Sequence, residues 1–202
     1  TGYKTILIDN SSNDDVTLTN YSGGTITSYY RQSIAIASGV DGFTLNNNEG
    51  ATIQTTGTND GYGINMDGAT NVTVVNAGAI TSHINGLRCL TCADVNFTNS
   101  GTIENTKTTG GGAALIISTS TGTNTITNSG EITSAYNRGL DVSQTTGTTV
   151  TNSGTVTAGT NTGLNLAHTT NAVVTNSGTI QANTEAVSLE NDKAVTAGSG
   201  TS

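Results

Sequence analysis

The chain has 202 residues, of which 26 are glycine, none is proline and 10% are charged, against roughly 25% charged in ordinary soluble domains. Net charge is −8, and the six cations, Lys4, Lys107, Lys193, Arg31, Arg88 and Arg138, are scattered. They form no phosphate-binding track, which argues against nucleic acid as a partner.

In chain order, the first unit sets a pattern that the others repeat. Val16 and Leu18 alternate, the period of a strand with one buried face, and Asn20 closes the strand. Ile26 marks a second strand, Tyr29-Tyr30-Arg31 a loop, and Ile34/Ile36 a third strand. The second unit reads Phe43/Leu45, Asn47, Ile53, a loop with Asp60 and Tyr62, then Ile64/Met66. The third reads Val72/Val74, Asn76, Ile80, a loop with His83, then Leu87/Cys89 around Arg88. The fourth reads Val95/Phe97, Asn99 and Ile103, then a Gly110-Gly111-Gly112 loop before Ala114, Leu115 and Ile117. The last three keep one aliphatic on the first strand, Ile126, Val150 or Val174, before Asn128, Asn152 or Asn176. Their markers are Ile132, Val156 and Ile180, and their third strands Leu140/Val142, Leu164/Leu166 and Val187/Leu189, with Tyr136 and Arg138 in the fifth unit's loop. From Asn191 to Ser202 the pattern is absent, so residues 1–190 read as one domain and 191–202 as a frayed tail or boundary.

The marker aliphatics are 27, 27, 23, 29, 24 and 24 residues apart, the length of one solenoid coil. A single unit cannot bury its own apolar face, but stacked units share a continuous core in which each strand bonds to its equivalents above and below. Insertions of several residues between strands favour a right-handed parallel β-helix over a left-handed hexapeptide one. The predicted fold is therefore all-β, with about seven coils of three short strands, on the order of 35 Å long at about 4.8 Å per coil. Lack of proline suits a chain whose strands all donate to ladders. The Asn of each Asn-x-Gly turn (Asn20, Asn47, Asn76, Asn99, Asn128, Asn152, Asn176) stands at one corner. Either its amides stack into an internal hydrogen-bonded ladder, or each is a turn former with its side chain in water. The glycine is read as supplying a backbone angle that a branched residue adopts only at a cost.

Cys89-Leu90-Thr91-Cys92 departs from the repeat. Zinc needs more ligands than His83 and His168 in separate loops supply, haem attachment needs a His where Ala93 stands, and a thioredoxin-type site needs a βαβ context. No cofactor is expected. Two structural readings remain, a short-loop disulfide, which we favour, or one buried thiol beside a solvated one.

Enzyme chemistry has little to stand on. Glycoside hydrolysis wants two carboxylates about 5 to 10 Å apart. The outward column of the third strands reads Ala35, Asn65, Arg88, Ile116, Asp141, Asn165 and Ser188, with one carboxylate; Asp60, Asp67 and Asp94 are placed in loops, and Asp14-Asp15 in the irregular first coil. The stronger candidate is a binding edge between the marker and third strands, carrying Tyr29, Tyr30, Arg31, Tyr62, His83, Arg88, Tyr136 and Arg138. Tyr and Arg dominate binding hot spots because each joins contact area to directed hydrogen bonds. The plainer reading is that these tyrosines cover core ends and the arginines solvate them. No apolar run reaches the roughly 20 residues of a membrane helix, and Thr1-Gly2-Tyr3 does not read as a signal peptide.

Runs such as Thr98-Asn99-Ser100-Gly101-Thr102-Ile103 and Thr175-Asn176-Ser177-Gly178-Thr179-Ile180, in a Thr/Asn/Gly-rich chain without proline, resemble passenger domains of Gram-negative autotransporters of the pertactin-like, adhesin type. The resemblance covers about residues 16–190. It implies export through a C-terminal outer-membrane β-barrel absent from this chain, display on the cell surface or release outside it, and virulence-associated adhesion. Closely spaced cysteines also fit it, since a small loop passes a pore. The expected partners are a host-cell surface protein, extracellular matrix or a glycan. The alternatives are a polysaccharide-degrading enzyme, a passive stalk, or self-association along the rod.

Overall fold

The computed structural model describes residues 4–9, 15–57, 61–190 and 196–197. Thr1-Gly2-Tyr3, Asp14, Asp60, Lys193 and all of the expected tail except Thr196–Ala197 lie outside the described residues. The described chain is all strand and turn, in three parallel sheets. Each coil contributes one strand to each sheet, giving a β-solenoid of about seven coils.

The first sheet stacks Thr17–Asn20, Thr44–Asn47, Thr70–Asn76, Ala93–Asn99, Asn124–Asn128, Thr148–Asn152, Val173–Asn176 and Thr196–Ala197. The second stacks Thr25–Ser28, Thr52–Thr55, Ala79–Ser82, Thr102–Asn105, Glu131–Ser134, Thr155–Ala158 and Thr179–Ala182. The third stacks Lys4–Ile8, Gln32–Ile36, Tyr62–Asp67, Asn85–Leu90, Leu115–Ser118, Leu140–Ser143, Thr162–Ala167 and Glu185–Glu190. Thr196–Ala197, within the segment where the sequence pattern stops, pairs in parallel with Val173 and Val174.

Register follows the aliphatics. Ile34, Ile64, Leu87, Leu115, Leu140, Leu164 and Val187 lie one above another, as do Ile53, Ile80, Ile103, Ile132, Val156 and Ile180. A one-residue slip in any strand would turn its aliphatics to water, so shared burial locks the stack. Phe43 and Phe97, on the first-sheet side, are the largest fully buried side chains of the core that these columns share. In the last coil the equivalents Val187 and Leu189 are 45% and 58% exposed.

Each of the three corners has its own chemistry. At the first, between the first and second sheets, the seven asparagines are buried and joined along the axis. Each Nδ2 donates to the next Oδ1, from Asn20 to Asn47 (2.9 Å), Asn76 (2.7), Asn99 (2.8), Asn128 (2.8), Asn152 (2.7) and Asn176 (2.7). The amides also hold carbonyls at the start of the next coil's second-sheet strand, such as Asn99 to Glu131 O at 3.2 Å. Glycine is needed here for a reason other than the expected one. Gly78, Gly101, Gly130, Gly154 and Gly178 are not in the left-handed region, but a Cβ on any of them would strike backbone carbonyls of the coil before. What excludes a side chain is the close approach between coils. Only the longer turns of the first two coils place glycine at positive φ, at Gly23 (79°) and Gly50 (76°).

The second corner, from second to third sheet, buries Ser28, Thr55, Ser82, Asn105 and Ser134. Several of these bond a loop of their own coil or the next: Thr55 Oγ1 accepts from His83 N of the next coil (3.1 Å), Asn105 Oδ1 from Lys107 N (2.8 Å) and Ser134 Oγ from Asn137 N (3.1 Å). The third corner, back to the first sheet, has the same two left-handed bends in successive coils, always three residues apart: Gly39/Gly42, Gly68/Asn71, Thr91/Asp94, Thr119/Gly122, Gln144/Gly147 and His168/Asn171. Each non-glycine there costs about 1 to 2 kcal/mol, offset by bonds to the next coil such as Thr91 N to Ser118 O and Gln144 N to Ala167 O. Cys92 lies between two such bends, buried in one column with Val40, Ala69 and Ser120. It is disulfide-bonded to Cys89, which fills a core slot of the third strand, so neither sulfur is solvated.

Candidate functional site

Alternation along the third-sheet strands turns Ile64/Met66, Leu87/Cys89 and Leu140/Val142 inward and leaves the residues between them outward. Register then stacks Ala35, Asn65, Arg88, Ile116, Asp141, Asn165 and Ser188 in one outer column. Asn65, Asp141 and Asn165 are nevertheless buried, because neighbours in the stack close over them. Asp67, expected in a loop, is the last residue of the strand Tyr62–Asp67, two places beyond Asn65 on the same side; Asp94 likewise lies within a strand, Ala93–Asn99.

Two polar groups form on this face. In the first, the Arg88 guanidinium donates to Asn65 Oδ1 (2.6 Å) and Asp67 Oδ2 (3.3 Å), while Asn65 Nδ2 donates to that same Asp67 oxygen (3.1 Å). The guanidinium also lies 5.3 Å from the centre of the Tyr62 ring, within cation–π range. In the second, Arg138 donates to Asp141 Oδ2 (3.0 Å) and Asn165 Nδ2 to Asp141 Oδ1 (2.8 Å), so both carboxylate oxygens are engaged. Ile116 separates the groups, and Arg88 and Asp141 stand two strands apart, about 10 Å. One atom in each group is withdrawn from water without a partner: Asp67 Oδ1, an acceptor, and Arg138 Nε, a donor. Buried polar atoms are normally satisfied, so each is a cost that the polar group carries.

The other expected residues lie on the corner leading into this sheet. Tyr29 and Tyr30 are 62% and 45% exposed and meet edge to face with centroids 4.6 Å apart. Arg31 immediately precedes the strand Gln32–Ile36, and its carbonyl accepts from Tyr62 N (3.0 Å), which stacks the first two coils at this edge. His83 is held by its backbone on Thr55. Tyr136 lies in the same corner further along, its carbonyl accepting from Thr160 N (2.7 Å). Tyr29, Tyr30, Arg31, Tyr62 and Arg88 therefore gather over the first three coils, while Tyr136 and Arg138 form a second station. Asn65, Asp67, Asp141 and Asn165 complete both stations. The signal for the first was available, since Asn65 and Asp67 are two apart and in register with the position of Arg88.

Asp67 and Asp141 are three strands apart and two residues out of register, about 16 Å, a wider gap than either glycosidase geometry uses. Among the described residues no group of three or more His, Cys, Asp or Glu could hold a metal ion, and no helix is long and apolar enough to cross a membrane. Comparison with protein-family models, with curated proteins and with solved structures finds no match.

Proposed function

We propose that the chain is an extracellular bacterial recognition rod of the autotransporter-passenger type, and that the outer face of its third sheet, with the adjoining tyrosine corner, binds a glycan on a host or neighbouring cell. The observation that carries the reading is the gathering of exposed tyrosine beside hydrogen-bonding groups: Tyr29 and Tyr30 stand open at the corner leading into the Tyr62–Arg88 stack and the Asn65–Asp67 pair. A sugar hydroxyl both donates and accepts, so one ligand chemistry suits carboxylate, amide and guanidinium alike, and the exposed Tyr29 and Tyr30 rings offer faces for the apolar side of the sugar. A buried disulfide supports an oxidising compartment and hence a location outside the cytoplasm. The separation of the carboxylates supports binding without cleavage.

The test is an array of glycans and extracellular-matrix proteins, probed with the purified chain and with Tyr62→Ala and Arg138→Ala. Glycan binding by the parent, weakened at least tenfold in both variants, is expected. Binding unchanged in the variants, capture of matrix proteins alone, or cleavage of a polysaccharide in a parallel substrate panel would refute the proposal.

A further inference from the structure

The first sheet shows the opposite character on its outer face. Its two outward columns carry no charged residue in any coil from Thr17 to Thr175, in a chain of net charge −8, and no aromatic one. Threonine fills most positions. Thr98, Thr127, Thr151 and Thr175 stack in one column, and Thr125 and Thr149 in the next. No loop covers them, for each is partly exposed. Beside them the Asn-Ser-Gly turns add a third column of exposed serines, Ser129 and Ser153 among them. The spacing is set by the backbone, about 4.8 Å between coils and about 6.6 Å between alternate residues along a strand. Threonine is stiff at χ1, so the hydroxyls and methyls of such an array are confined to few orientations.

The occupant must match that chemistry. A charged polymer finds no counter-charge in these two columns, Asp94 lying outside them at the start of its strand, and a sugar finds no ring to stack on. A second copy of the chain finds too little surface: seven strands of four residues span about 34 by 13 Å, some 450 Å², little more than half of the roughly 800 Å² per partner of a standard interface. What remains is an extended, neutral, periodic lattice of hydrogen-bond donors and acceptors, and water itself forms one when it crystallises. Hydroxyls serve as donor or acceptor as each lattice oxygen requires, and the methyls between them order the adjacent water without competing for its bonds. We infer that the threonine face of the first sheet binds ice. This inference stands apart from glycan binding on the third sheet, and either can fail alone.

The test uses the full chain in an ice-recrystallisation assay and in partitioning into a growing ice shell. Two double variants are compared after circular dichroism has established that both fold: Thr127→Lys with Thr151→Lys on the face, and Thr155→Lys with Thr179→Lys on the second sheet. The parent and the second-sheet variant should slow grain growth and enter the ice, and the face variant should need at least tenfold more protein for the same effect. Failure of the parent to do either, equal loss in both variants, or a sedimentation-detected dimer broken only by the face variant would overturn the inference. The parent measurement alone decides the matter should a variant fail to fold.

Discussion

Removing one amide from the middle of the asparagine ladder should cost far more than removing one from its end. Asn99 is fully buried, accepts from Asn76 at 2.8 Å, and donates to Asn128 at 2.8 Å and to Glu131 O at 3.2 Å. Asn99→Ala deletes two amide–amide bonds at about 1 kcal/mol each, and strips the buried Asn128 Oδ1 of its donor at a further 1 to 3 kcal/mol or so. With the space vacated by the amide, the total comes to about 3 to 5 kcal/mol. Asn176 stands at the described end of the ladder. When it is lost, Asn152 Nδ2 keeps Gly154 O (3.3 Å) and Thr179 O (3.4 Å), so Asn176→Ala should cost only about 1 kcal/mol. Urea unfolding read by far-ultraviolet circular dichroism separates the two, since a gap of about 2 kcal/mol moves the midpoint by about 1 M at a slope of about 2 kcal/mol/M. Thr98→Ala, one residue away on the outer face, is the control. Midpoints for Asn99→Ala within 0.3 M or so of those for Asn176→Ala and Thr98→Ala would show that the amides solvate the turn and do not bind the coils.

The same measurement tests two further expectations. Gly130→Ala puts a methyl against Gly101 O and the Ser100 carbonyl, backbone atoms that cannot rotate away, and should cost at least about 3 kcal/mol, against about 1 kcal/mol for Gly110→Ala at a positive φ of 49° in open space; equal costs would mean the coils separate there easily. Asp41 accepts from Thr70 Oγ1 and Asn71 Nδ2 (both 2.7 Å), and these bonds, with one from the Gly42 backbone, hold its carboxyl below the usual 3.8. A lowered carboxyl stabilises the fold above 3.8 and gives that up as pH falls through the lower folded value, so the advantage of the parent over Asp41→Asn should be constant at neutral pH and shrink below about pH 4. An advantage that grows on acidification would reverse the assignment.

The stacked core was legible because inward aliphatics are the one feature that every coil must share: a polar residue at Ile103 or Leu115 would be orphaned between two neighbours. The asparagine corner was legible for the same reason, each amide needing an identical one above and below. The left-handed corner was not. Its bends accept Gly, Asn, Asp, Thr, Gln or His, because what is conserved from coil to coil is a pair of backbone angles three residues apart, and no single side chain marks them. The role of the turn glycine was misread because close approach and positive φ select the same residue and differ only in three dimensions. At the site, Tyr62 and Arg88 stood out as residue types, but Asp67 looked like a loop carboxylate until strand length placed it beside Asn65.

A solenoid frees outward residues from the core, so what they repeat and where they stop repeating become separate signals. A face that keeps the same side chain in coil after coil, as Thr127, Thr151 and Thr175 do, presents the backbone's own translation and suits a partner with a period of its own. A face that breaks the repeat, as Asn65, Arg88, Ile116 and Asp141 do, presents an arrangement that occurs once and suits a partner of finite size. The stacking that buries the aliphatics positions both, since each outward residue sits on a backbone clamped by two neighbouring strands. Rigidity here comes from neighbours above and below, so weakening the ladder at Asn99 should loosen the threonine columns and the arginine stations together, whereas a charge placed on one face leaves the other intact.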